Sequence, residues 1–303
     1  MIMKNKSFPS GAWHHIYSIT QDGGVLFYRI TDRLCVFTVL AIYAFRYNII
    51  VLGLSIMFTH FHLMVKAVDT THIRDFVGQS LATFTRIINA DRKSKGSIFR
   101  GPFGCAARFS SKEKRSSLIY LFNNPVEKHL CKRAIDDRWT FLAFAKTAFP
   151  FSTKVVKRNV RHNLRNACDM VDRERKAGRY LRPALLRKLF QPLTRSEQEQ
   201  LADYIIQKYL FINFKEAVAE FDSFEAMLLA TEASAGKEFD IGEVFDPSSD
   251  HAYREMCSLA GRAGLFEDWK LLKLSADERA RWFRRLCVQT SAPEKQVRKF
   301  LHI

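Results

Sequence analysis

The stretch from Ile49 to Lys66 constrains the fold most, because two short apolar runs, "IIVLGLSI" and "HFHLMVK", are separated only by "MFT". Such runs are too short for buried helices and have the β-branched and aromatic content of strands, and the brief joint reads as a β-hairpin. A strand alternates its side chains, so His60, His62, Met64 and Lys66 share one face while Phe61, Leu63 and Val65 share the other. Two imidazoles at this spacing lie near enough to hold one cation between them, and neutral imidazole is the commonest side-chain ligand of divalent metals. The pair also suits two core histidines satisfied by backbone carbonyls.

The flanking segments predict a mixed architecture. "HHIYSIT" (His14 to Thr20) reads as a strand and "QDGG" as the turn after it. "RLCVFTVLAIYAFRYN" has the length and composition of a largely buried helix, and the 70–93 segment sets Ile73, Phe76, Val77, Leu81, Phe84, Ile87 and Ile88 at helical spacing. "GSIFRGPFG" breaks that pattern and "CAARFS" is a short strand. Ser110 with Glu113 forms a capping box that opens another helix, expected to stop at Asn124-Pro125 because a residue before proline avoids the α region. On that helix Tyr120 and Asn124 stand one turn apart on one face. If they face the histidine pair, the amide can complete a metal shell while the phenol attacks a phosphate; otherwise Tyr120 is a core aromatic and Asn124 a helix terminus.

Composition sets the outer limits. The 303 residues are 47% hydrophobic and 13% aromatic, enough for one full core and room for two domains. The apolar stretch from Cys35 to Val65 is interrupted by Arg46, Tyr47, Asn48, His60 and His62, so no transmembrane helix is expected. The N-terminal "MIMKNKSFPSGAW" lacks a signal-peptide core, which predicts a cytoplasmic location, and six scattered cysteines without CxxC spacing read as reduced thiols. Net charge is +17, and all of it lies before Cys168: 26 Lys and Arg stand against 9 Asp and Glu there, whereas the remainder balances at 22 each. Such a surplus gathers phosphates by counterion release, making nucleic acid the expected partner ahead of an anionic lipid surface.

The second half says less. Val156 to Phe190 is basic and helical in composition, either an extension of a DNA-binding surface or a solvated helix. Glu197 to Asp250 holds 13 acidic residues against Lys208, Lys215 and Lys237, and ends in the loop-like "SAGKEFDIGEVFDPSSD". Ser275 with Glu278 and Ser291 with Glu294 predict two short helices joined at "QTSAP". They resemble a helix-turn-helix whose second helix offers Lys295, Arg298 and Lys299 to a major groove.

The order "HFHLMV", "FTRIIN", "GSIFRGPF", "IYLFNNPVEKHL", "DRWTFLAF" resembles the single-tyrosine HUH transposases, most closely the REP-associated tyrosine transposases, over Trp13 to Phe144. The resemblance implies an α+β fold, a ferredoxin-like antiparallel sheet with flanking helices, over residues 1–150. A helical extension (151–250) and a C-terminal helical region with the possible helix-turn-helix (251–303) would follow. It implies that His60, His62 and Asn124 bind Mg²⁺ or Mn²⁺ and that Tyr120 is the nucleophile, cleaving and rejoining single-stranded or hairpin DNA through a 5′-phosphotyrosine. Arg86, Arg92, Lys93, Lys95, Arg100 and Arg108 are candidate backbone contacts. Phe58-Thr59 stands where the family has Pro-Asn, and Pro102 where it commonly has arginine. A domesticated relative that grips DNA without cutting is the alternative. An RNA phosphoesterase ranks last, since it needs two H-x-T/S motifs. Monomer and homodimer remain equally open.

Overall fold

The computed structural model describes residues 8–101, 103–234 and 249–303; Pro102 and most of the Ser234 to Asp250 loop lie outside them. The first part has the order β1 (Trp13–Ile19), α1 (Ile30–Arg46), β2 (Ile50–Ile56), β3 (His60–Lys66), α2 (Thr71–Arg92), β4 (Gly104–Arg108) and α3 (Ser111–Glu127). The strands form one sheet in the order β2-β3-β1-β4, antiparallel at every pairing. The hairpin of β2 and β3 is present, with Ser55 opposite His62 and Ile56 opposite Phe61. No helix among the described residues is long and apolar enough to cross a membrane.

Alternation along β3 separates two environments. Phe61 turns towards Phe99, with ring centroids 6.1 Å apart, on the side that buries Phe84 of α2 against Phe27 and Phe99. The opposite face carries Gly53, His62 and Met64 and is covered by α3. A Cβ on Gly53 would lie 3.3 Å from Leu118 and Phe122 and 3.4 Å from Leu121, so glycine lets this helix sit close on the sheet. Gly53→Val should overpack the contact and lower unfolding free energy by about 1–3 kcal/mol, measurable by denaturant titration.

Two helix termini differ from expectation. Helix α3 begins at the expected cap, where Ser110 Oγ accepts from the Glu113 N–H, but it runs through Pro125 to Glu127 instead of stopping at Asn124. Pro125 takes away one backbone donor, yet Lys128 N–H still reaches Asn124 O at 3.1 Å, and the buried Leu118, Leu121 and Phe122 hold the helix in place. At the C-terminal end, Ser275 and Glu278 form the expected box, whereas Ser291 does not cap a helix. Its N–H and hydroxyl both donate to Glu255, and the last helix starts after Pro293, whose ring fixes an extended backbone suited to the N-cap.

The rest is helical: α4 (His162–Lys176), α5 (Pro183–Phe190), α6 (Arg195–Tyr209), α7 (Phe214–Val218), α8 (Phe224–Ala233), α9 (His251–Arg262), α10 (Lys270–Lys273), α11 (Ala276–Gln289) and α12 (Glu294–Leu301). Helices α5 and α6 pack on α1, so one apolar core continues from Trp13 to Met227. Much of the basic Val156 to Phe190 segment is ion-paired internally: Lys157 meets Asp169 and Asp172, Arg179 meets Glu174, and Arg187 meets Asp91. A second core joins α9 to α12 with Val25, Tyr28, Met57, Phe58 and Leu130. The C-terminal helices are thus packed on the β2–β3 turn and on the end of α3.

Polar contacts reinforce that docking. Tyr28 O–H donates to Phe300 O at 2.9 Å, Val25 N–H donates to Lys299 O, and the His302 ring meets Asp22 at 2.6 Å. The hydrogen bond from His302 holds the Asp22 carboxyl at about 2, below the usual carboxylate range. A depressed acid contributes stability above its ordinary pKa and loses it as pH falls, here between about pH 4 and pH 2. After allowance for solvent at this half-exposed pair, Asp22→Asn should cost on the order of 1 kcal/mol at pH 6 and only a small part of that at pH 2, by urea denaturation at both pH values.

Candidate active site

Helix α3 crosses the histidine-bearing face so that Tyr120 comes down beside the imidazoles. Its ring centroid is 5.5 Å from that of His62 and edge-on to it, and the His60 and His62 rings are 5.0 Å apart. One turn on, the Asn124 side chain hydrogen-bonds His60 and also donates from Nδ2 to Tyr120 O at 3.0 Å, which leaves Oδ1 as its acceptor end. Tyr120, His60, His62 and Asn124 therefore converge, an arrangement that the spacing on one strand and one helix left conditional.

Electrostatics favour uncharged imidazoles. Burial lowers His62 to about 3, and burial first, then the charges near it, puts His60 well below its ordinary value. Both rings are neutral at pH 7 and offer lone pairs. His60 Nδ1 meets Thr59 Oγ1 at 2.8 Å. Among the described residues no group of three His, Cys, Asp or Glu side chains could hold a metal ion. A metal here depends on the Asn124 amide as third ligand beside His60 and His62, and that oxygen and nitrogen set, without a carboxylate, suits loose binding of Mg²⁺ or Mn²⁺ completed by substrate oxygens.

His15, which sequence reasoning left without a role, belongs to the same cluster. It is fully buried, its Nε2 lies 3.2 Å from His62 Nδ1, and the two rings stack with centroids 5.3 Å apart. Its edge also meets Tyr120 at 5.9 Å. Burial, reinforced by His62 and by the Arg108 charge, keeps His15 well below its ordinary pKa. The only sequence signal was period two in "WHHIYSI", which puts His15 and Tyr17 on one face; which strand would lie alongside was not legible. Tyr17 pairs with Gly104 across β1 and β4, and its ring occupies the space that a Cβ at 104 would need.

The proposed DNA contacts separate by location. Arg108 ends β4 on the Tyr120 side of the sheet. Arg100 is exposed next to the loop after β1 and donates from Nε to Gln21 O. Lys93 and Lys95 are exposed beyond α2, and Arg86 is exposed on α2 itself, across the sheet from Tyr120. Arg92 is a correction: at 8% exposure it is buried, donates to Leu26 O at 2.7 Å and stacks 4.2 Å from the Trp269 ring, where Asp32 and Asp91 balance its charge. It holds C-terminal to N-terminal structure and is not at the surface to meet a phosphate. Lys295 and Arg298 are exposed on α12, while Lys299 is half-buried, against Gly23 and close enough for its charge, with that of Lys128, to act on His60. Its position by His60 differs from the outward major-groove role expected of it, because α12 packs on the first part of the chain.

No protein-family model, curated protein or solved structure matches the chain.

Proposed function

We propose that this chain is a metal-dependent DNA strand transferase of the single-tyrosine HUH type, akin to the REP-associated tyrosine transposases, with Tyr120 as nucleophile. The observation that carries this reading is the edge-on approach of the Tyr120 ring to His62, with Asn124 of the same helix bonded to His60. The strand order β2-β3-β1-β4, with α1 and α2 between strands in the chain, supports a ferredoxin-like HUH core. The surplus of 17 positive charges before Cys168 supports a polyanionic substrate.

In this reading His60, His62 and Asn124 hold Mg²⁺ or Mn²⁺, which when bound polarises the scissile phosphate and helps a phenol of ordinary pKa near ~10 to react at neutral pH. Tyr120 Oη attacks phosphorus in line, a phosphotyrosine forms at the 5′ side, and the 3′ oxygen leaves as a hydroxyl. Bond energy is retained, so the reverse attack by another 3′-hydroxyl joins a new strand. Single-stranded or hairpin DNA is the substrate because an attack between helix and sheet needs a phosphate presented away from a regular duplex. Lys128 and Lys299 beside His60, and Arg108 beside His15, provide positive charge around the cluster.

The test is incubation of the protein with hairpin and single-stranded oligonucleotides and Mn²⁺, followed by a denaturing gel. A covalent protein–DNA species is expected. Retained DNA binding without any adduct would favour the non-cleaving relative.

A further inference from the structure

The side of the site formed by β1 and β4 contains nitrogen donors that no described residue satisfies. His15 Nδ1, Arg108 Nε and Arg108 Nη2 are all buried without a hydrogen-bond partner among the described residues. Buried donors in folded proteins almost always have acceptors, so three unmet ones within one small region call for an explanation. They share a face: His15 lies opposite Ala106, and Arg108 is two residues further along β4, opposite Trp13. Between Gly104, overlain by the Tyr17 ring, and Arg108, that face of β4 presents only the methyl group of Ala106.

The His15 tautomer follows from its neighbour. For His62 to present its Nε2 lone pair, its Nδ1–H must donate to His15 Nε2, 3.2 Å away. A neutral His15 then carries its own hydrogen on Nδ1. This N–H and the Arg108 fork are donors only, and Tyr120 meets the His15 ring edge. A hydroxyl or water can accept one such bond, but a set containing a guanidinium matches an oxyanion with several lone pairs.

We propose that His15 Nδ1 and the Arg108 guanidinium form an oxyanion subsite that holds a non-bridging oxygen of the phosphodiester attacked by Tyr120. The identity of the phosphodiester and the His15 tautomer rest on the strand-transferase reading; the Arg108 guanidinium is a donor in any case. Arg108 would stabilise charge as it grows on phosphorus-bound oxygen, and His15 would tie that oxygen to the His62 side of the centre.

Inorganic phosphate is the probe, titrated into protein carrying ¹⁵N-labelled histidine and followed by NMR at the His15 nitrogens. The His15 Nδ1–H signal should move downfield and saturate. Arg108→Ala should weaken the apparent affinity about tenfold or more, with Arg108→Lys between it and the unchanged protein, since lysine keeps the charge but loses the fork. The melting temperature of Arg108→Ala should match that of the unchanged protein, because its Nε and Nη2 bond to nothing among the described residues. An unmoved His15 signal, or equal phosphate affinity in Arg108→Ala, would overturn the subsite; if that variant does not fold, the titration of the unchanged protein decides. Saturable phosphate binding without any DNA adduct would uphold the subsite and remove the strand-transferase reading, while adduct formation at an unchanged rate in Arg108→Ala would do the reverse.

Discussion

Tyr120→Phe should abolish the covalent protein–DNA species, a loss of roughly 10³-fold or more, while oligonucleotide binding stays within about twofold. Only the phenolic oxygen is removed. The ring still meets His15 and His62 edge-on, and α3 keeps its packing through Leu118, Leu121 and Phe122. Folding serves as the control: a variant that keeps a cooperative thermal transition yet forms no adduct assigns the loss to the phenolic oxygen. An adduct surviving in Tyr120→Phe would show that another side chain is the nucleophile.

Phe300→Ala should lower unfolding free energy by about 3–5 kcal/mol, a large fraction of what a domain possesses. The ring is fully buried and packs edge-on against Tyr28 at 5.3 Å, while the Phe300 carbonyl accepts the Tyr28 hydroxyl. It sits in the apolar cluster that also buries Met57 and Phe58, the residues just before His60. The variant should therefore lose adduct formation as well as stability, because the β2–β3 turn and Lys299 are held by the same contacts. A thermal transition shifted downward but still single would show that the C-terminal helices unfold together with the sheet. Two separated transitions would show that they are an appended unit.

Local signals made much of the fold legible. The hairpin needed only two short apolar runs, and the Ser110–Glu113 cap needed only neighbours in sequence. The convergence of Tyr120 with His60 and His62 was a conditional reading, because period two on a strand and one turn on a helix fix which residues share a face but not which faces meet. The misreadings have long-range causes. Pro125 stays helical because α3 is clamped by β2, and Ser291 is claimed by Glu255 from another helix. Arg92 looked like a surface cation because Trp269, its stacking partner, is far away in the chain. His15 was not legible for a similar reason, since β1 lies beside β3 only because β3 enters the sheet between β1 and β2.

Helix α3 is gripped from two directions. Leu118, Leu121 and Phe122 seat it against Gly53, while on its other flank the Asn123 amide donates to Thr231 O at 2.7 Å on α8. Moving the helix would break both sets of contacts, so while they hold, the reach of Tyr120 is set by rotation about its own side-chain bonds. If Tyr120 is the nucleophile proposed above, exchange between two DNA ends would bring each to the same phenol in turn, and the order of joining would be set by the arrival and departure of the ends.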